Sequence, residues 1–254
     1  MTDAKAGPAA LFDLTGQVAL VTGGSRGLGR EMVLAFAAAG ADVVIASRKL
    51  DNCKALAEEV EASGRRALAV ACHVGHWNEC GELADRAYEH FGTVDILVNN
   101  AGMSPLAPSS AETSEELFDK VIGVNFKGPF RLTALIGQRM YDGDGGSVIN
   151  VSSSGALFPA PRFGPYAGAK AALNALTTVF AREFAPKVRV NTLSAGPFLT
   201  DIAKHWPDES QRTWKSAAGR PGSPEEVVTT ALYLASPASS YTTGSLIRVD
   251  GGLY

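Results

Sequence analysis

Val18-Ala19-Leu20-Val21-Thr22-Gly23-Gly24-Ser25-Arg26-Gly27-Leu28-Gly29 is the stretch that decides how this chain folds. An apolar run of buried-strand type ends in a cluster of glycines, and an Ala-rich helical segment, Arg30 to Ala39, follows. Strand, glycine turn and helix form the setting in which amides at a helix N-terminus meet a diphosphate. Glycine is needed there because its bare backbone lets a ligand approach closely. The spacing is Gly23-x-x-x-Gly27-x-Gly29 rather than Gly-x-Gly-x-x-Gly, and no Gly-Lys-Ser/Thr follows as in a P-loop. Read alone, the stretch is equally a tight turn after a strand.

Outward from this stretch, strand-like and helical segments alternate from Val18 to Val249. Apolar runs recur at Val43–Ala46, Ile96–Val98 and Val148–Val151. Such alternation predicts an α/β fold of doubly wound, Rossmann type, with a parallel sheet of about seven strands covered on both faces. A chain of 254 residues, 46% hydrophobic and 19% charged, suits one globular domain of this class. Residues 15–254 are read as that domain, and residues 1–14 as a short polar, Ala-rich lead without a signal-peptide core. No apolar run reaches 18 residues, so no membrane partner and a cytoplasmic location are expected. A net charge of −3 without a basic tract argues against nucleic acid.

Candidate chemistry lies in the second half. Tyr166 and Lys170 are four residues apart in a segment that reads as a helix through Leu176, which puts them on one face. A free phenol has a pKa of about 10, and a nearby ammonium is expected to lower it toward the working range. Ser152-Ser153-Ser154 follow the run Val148–Val151, where ligands meet strand ends in open sheets. Cys72, His73, His76 and Cys80 offer four possible metal ligands, but their spacing matches no standard zinc pattern and no metal is expected. With Cys53 the cysteines number three, and they outline no disulfide framework.

Taken together these motifs resemble the short-chain dehydrogenase/reductase family along nearly the whole chain. Thr22-Gly23-x-x-x-Gly27-x-Gly29, Asn99-Asn100-Ala101-Gly102, Asn125 in Val124-Asn125-Phe126, and Ser153 thirteen positions before Tyr166 carry the resemblance. The tail, Gly219–Glu226 and Val249-Asp250-Gly251-Gly252, looks like bacterial members related to 3-oxoacyl-thioester reductases. The resemblance implies hydride transfer between NADP(H) or NAD(H) and a carbonyl or secondary alcohol. Tyr166 would be acid-base catalyst, Ser153 the carbonyl anchor, Lys170 the tuner of Tyr166 and ribose ligand, and Asn125 the holder of a water. It further implies that the cofactor meets Gly23, Ser25, Arg26, Gly27, Leu28, Gly29, Ser47, Arg48, His73, Val74, Asn100, Ala101, Gly102, Tyr166, Lys170, Pro197, Phe198 and Thr200. A homotetramer is expected, with a homodimer as the alternative.

NADP(H) is the expected cofactor. After Val43–Ala46 the chain reads Ser47-Arg48-Lys49, and no acidic residue follows until Asp51. An acidic residue near that point would serve the ribose of NAD. Arg48 and Arg26 instead offer bidentate donors to a 2′-phosphate. Two departures from the family pattern stand out. His73-Val74 replaces Asp-Val, so the imidazole either stacks on adenine or faces solvent. Ala195-Gly196 replaces Pro-Gly, which should loosen the loop after it.

Substrate choice is assigned to a lid at about 198–219, with Met103–Leu106 and Phe158-Pro159 opposite, a region made aromatic by Trp206, Trp214, Phe163 and His205. That region reads either as a pocket for an apolar ketone or acyl chain or as a subunit contact. The favoured activity is a ketone or 3-oxoacyl reductase acting on a small carbonyl compound. A sugar, polyol or other alcohol dehydrogenase is the alternative, and a catalytically silent NADP(H) sensor or scaffold the non-enzymatic one.

Overall fold

The computed structural model describes residues 7–200 and 216–253. Seven strands, β1 Val18–Thr22, β2 Asp42–Ser47, β3 Ala67–Ala71, β4 Ile96–Asn99, β5 Gly146–Ser153, β6 Val188–Ala195 and β7 Leu246–Val249, form one sheet. Their order is β3-β2-β1-β4-β5-β6-β7, and every pairing is parallel. This is the doubly wound Rossmann-type architecture. Residue 19 of β1 pairs with Val43 on one side and Ile96 on the other, so the strand order reverses at β1. Connections leave in opposite directions there, and the carboxyl ends of β1 and β4 open a crevice.

Among the described residues seven α-helices cover the sheet: α1 Gly27–Ala38, α2 Leu50–Ala62, α3 Trp77–Phe91, α4 Glu115–Ile122, α5 Gly128–Asp142, α6 Gly164–Glu183 and α7 Val228–Ala235. The side-chain period of two splits each strand between two cores. Ala19 and Val21 of β1 join Met32 and Phe36 of α1, Leu56 of α2 and Leu234 of α7 on one face. Val18 and Leu20 join Leu83 of α3, Leu132 and Ile136 of α5, and Phe180 of α6 on the other. Strands buried on both faces read as continuous apolar runs, which is why they were visible in the sequence.

Some boundaries differ from the sequence reading. Helix α1 begins at Gly27, not Arg30, because the glycine turn supplies its first turn. Leu14 is fully buried in the first core and its N–H donates to Ala39 O at 2.8 Å, so the lead ends before it. Between α4 and α5 the backbone widens into a π-helical turn, Gly123–Lys127, which carries Asn125. Among the described residues no helix is long and apolar enough to cross a membrane.

Candidate active site

The strand ends bring four candidate residues to one place. Ser153 is the last residue of β5, and its Oγ accepts the Gly155 N–H at 3.0 Å. Helix α6 starts at Gly164 with Pro165 in its first turn, where a missing N–H costs nothing. Two residues into that helix, Tyr166 brings its ring beside the Ser153 hydroxyl: a Cβ on Gly155 would lie 3.3 Å from Ser153 Oγ and 3.7 Å from Tyr166 Cε1. Burial pushes the phenol pKa up, and the Ser153 contact partly offsets this. The expected lowering by Lys170 is not what the geometry provides. Lys170 is buried and its Nζ donates to Val151 O of β5 at 2.8 Å. Burial lowers the lysine instead, to about 8.

Asn125 is fully buried and pinned by its amide. Its Nδ2 donates to Met103 O at 2.8 Å and Val121 O at 3.0 Å, while Oδ1 accepts the Met103 N–H at 3.3 Å. It therefore caps a carbonyl of α4 and fixes the loop after β4. Gly102 keeps a gap beside it open. A Cβ there would lie 3.1 Å from Asn125 Oδ1 and 3.7 Å from Lys170 Nζ. The bare glycine leaves these two polar atoms bordering one space.

The glycine turn is built for backbone contact. Gly23 has φ +63°, and a Cβ on it would lie 2.9 Å from Ala101 Cα and from Asn100 Nδ2. At Gly29 a Cβ would come within 2.2 Å of Gly23 O. Only glycine lets β1, α1 and the end of β4 meet this closely. Asn100 serves that junction, with Nδ2 donating to Thr22 O at 2.9 Å and Gly23 O at 3.2 Å. Thr22, which sequence reasoning left out of the site, is its hub. Its Oγ1 accepts the N–H of Asn100 at 3.0 Å and of Ala101 at 3.1 Å, and donates to Val98 O at 3.2 Å. Its place directly before Gly23 was the available signal. Thr200 Cγ2 stands 3.4 Å from the Cβ position of Gly27, so the loop after β6 reaches the turn beside Leu28. The resulting floor, of glycine backbone at the N-terminus of a twelve-residue helix, fits a dinucleotide diphosphate.

Beyond the turn, Ser25 Oγ and Ser47 Oγ lie 2.8 Å apart, and Ser47 Oγ lies 3.1 Å from Cys53 Sγ. Arg26 caps α1 in extended backbone, and Arg48 is exposed after β2. His73 is half-buried after β3. Its ring stacks on His76 with centroids 4.3 Å apart, and its Nδ1 accepts the Gly75 N–H at 3.2 Å. Burial, then the His76 and Arg48 charges, hold it below the usual histidine range. Val74 is buried beside it, its carbonyl accepting from Cys80 Sγ at 3.3 Å.

After β6, Phe198 turns its ring into the first core, and its carbonyl accepts the Thr200 N–H at 2.8 Å. The loop is tied down without the family's proline. Gly196 N–H donates to Val249 O and Gly222 N–H to Pro197 O, both at 2.9 Å. Phe158, opposite, lies under the Arg248 guanidinium, 5.0 Å from its ring centroid. Of the lid, His205, Trp206 and Trp214 lie outside the described residues.

Comparison with known proteins agrees with this arrangement. A family model described as enoyl-(acyl carrier protein) reductase matches residues 23–254. An uncharacterised oxidoreductase of Mycobacterium tuberculosis is 40% identical over 250 residues, covering 96% of this chain and 94% of that protein. A 3-oxoacyl-[acyl-carrier-protein] reductase of Thermotoga maritima is 35% identical over 243 residues, covering 94% and 98%. A gluconate 5-dehydrogenase of Burkholderia cenocepacia J2315, crystallised with NADP and tartrate, superposes with a TM-score of 0.92 at 30% identity, covering 97% and 98%.

Proposed function

The chain belongs to the short-chain dehydrogenase/reductase family of oxidoreductases, and from that premise we propose that it is an NADP(H)-dependent reductase of ketones or 3-oxoacyl compounds. The observation that carries this reading is the meeting of the Ser153 hydroxyl and the Tyr166 ring beside Gly155, with Lys170 one helical turn further along α6. When bound, the nicotinamide cofactor supplies the hydride. Ser153 Oγ donates to the substrate carbonyl oxygen and holds it beside the phenol. Tyr166 delivers its proton to that oxygen as negative charge develops on it. A phenol kept protonated by burial is suited to the acid role at neutral pH.

Lys170 and Asn125 border the gap beside Gly102, and a water held between them would return a proton to the phenol. The glycine turn, Ala101 and Thr200 would hold the diphosphate side of the cofactor. Ser25, Arg26, Ser47 and Arg48 would surround a 2′-phosphate. The relatives support this choice in part: the Burkholderia enzyme was crystallised with NADP, whereas a 7α-hydroxysteroid dehydrogenase of TM-score 0.92 was crystallised with NADH.

NADPH oxidation with a short 3-oxoacyl thioester tests the reading, with NADH in parallel. Tyr166→Phe should lower kcat about a hundred- to ten-thousandfold while NADPH still binds. Full activity in Tyr166→Phe would remove the phenol from the chemistry and end this reading.

A further inference from the structure

Space is left open directly beside Ser153 and Tyr166. The Cβ position of Gly155 borders Ser153 Oγ and Tyr166 Cε1, and among the described residues beyond its chain neighbours nothing else comes within 4 Å of it. A bare glycine there leaves a slot against the hydroxyl and the half-buried ring. Phe163 packs on that same ring. The two centroids lie 6.2 Å apart with the planes inclined at 54°, and Phe163 is itself half-buried. Phe163 is also the N-cap of α6, a position that favours Ser, Thr, Asn or Asp, and its side chain makes no capping hydrogen bond. Helix formation gives no reason for an aromatic side chain at this point, and residues that break a local rule gather at functional sites.

The neighbouring loops have the same character. Strands β4, β5 and β6 are adjacent in the sheet, and the loop leaving the carboxyl end of each carries exposed large apolar side chains. These are Leu106 after β4, Leu157 and Phe158 after β5, and Leu199 after β6. Single exposed apolar residues are ordinary, but a set gathered on one edge marks a binding surface. This edge is the one at which Ser153 ends β5.

Resting on the reductase reading above, we propose that the carbonyl substrate carries an extended apolar chain and that Phe163 is the residue that selects it. The chain leaves the carbonyl carbon across Gly155, where no side chain blocks it, and lies against the Phe163 ring. The carbonyl oxygen stays with Ser153 and Tyr166. A hydroxylated substituent in that place would give up water without gaining hydrogen-bond partners, whereas each methylene fully buried there improves binding about fourfold.

The test compares ethyl 3-oxobutanoate, ethyl 3-oxooctanoate and the hydroxylated ketone D-fructose as NADPH-linked substrates of the purified protein. From the butanoate to the octanoate ester kcat/KM should rise about ten- to a hundredfold, chiefly through KM, with fructose the poorest of the three. Phe163→Ala should cut that ratio about three- to tenfold, again through the octanoate KM, and Phe163→Leu should restore most of it because an apolar wall remains. Gly155→Ala narrows the slot and should lower the ratio as well. Thermal midpoints of the three variants, taken with and without NADPH, read folding and cofactor binding separately from substrate choice. A wild-type ratio near one, fructose as the best substrate, or the same ratio in wild type and in every folded variant would each overturn the apolar-chain assignment and leave the reductase reading in place. No NADPH oxidation with any of the three, or with a wider ketone panel, would overturn the reductase reading itself.

Discussion

Lys170 shows how a single side chain carries opposing demands. Its ammonium is buried against the Val151 carbonyl, and burial lowers its pKa to about 8. In the unfolded chain it keeps its proton to about 10.4. Between those values the unfolded state binds more protons, so this residue makes stability rise with pH from about 8 toward 10. Lys170→Met removes that contribution. Urea unfolding at pH 8 and pH 10 should show the stability difference, wild type minus variant, growing by on the order of 2 kcal/mol. An unchanged difference would mean that the folded ammonium is as well solvated as the unfolded one. Arg48 sits at the other end of the cleft and is exposed. A charge-assisted hydrogen bond to a phosphate contributes about 1.5–3 kcal/mol. Arg48→Ala should therefore raise the NADPH KM about ten- to a hundredfold and spare NADH, as read by paired steady-state kinetics. Equal losses for both cofactors would assign Arg48 to the fold rather than to the 2′-phosphate.

At the scale of an element, two glycines four residues or fewer from functional groups behave oppositely. A Cβ on Gly29 of α1 meets Gly23 O at 2.2 Å and Asn100 Nδ2 at 2.5 Å, so Gly29→Ala must push the helix off the glycine turn. Overpacking of this kind costs about 1–3 kcal/mol, and NADPH binding should fall with it. Gly168 of α6, between Tyr166 and Lys170, has nothing within 4 Å of its Cβ position. Gly168→Ala should gain about 0.4–1 kcal/mol through the unfolded state. Denaturation midpoints moving in opposite directions check both expectations. The same elements show what the sequence could reveal. The glycine turn was legible because its meaning depends on neighbours within a dozen residues. The start of α1 at Gly27 was not, because the glycines signal a turn while their amides form the first helical turn. Nothing local marks the π-helical turn at Gly123–Lys127 either, or the direction of the Lys170 ammonium. Both arise where α6 packs across β5 and the segment bearing Asn125. The His73 contacts were hidden for a similar reason: its partners, His76 and Gly75, are set by how the loop after β3 folds back.

Across the whole molecule, the sheet sets the proposed cofactor floor apart from the proposed catalytic side chains. The proposed cofactor floor is made by the ends of β1, β2 and β4 with α1, around the switch point. The Ser153, Tyr166 and Lys170 side chains come from β5 and α6, beyond β4. A buried polar chain joins the two regions: Asn99 Nδ2 reaches Asn150 Oδ1 at 2.9 Å, and Asn150 Nδ2 reaches Thr177 Oγ1 at 3.0 Å. This chain ties the end of β4 to β5 and α6. A ligand that binds only the folded state at a hundred times its Kd adds about 2.7 kcal/mol of stability. For a chain of this size that corresponds to a rise of roughly 5–10 °C in thermal midpoint. Saturating NADPH should raise the wild type and Tyr166→Phe by the same amount, because the phenol contributes to chemistry rather than to the cofactor floor. Gly29→Ala should lose the rise and Arg48→Ala should lose most of it, while NADH at equal concentration should move all four proteins little. If Tyr166→Phe loses the NADPH rise as completely as Gly29→Ala does, the two regions are one cooperative site, and the reduced turnover of that variant reports binding instead of proton transfer.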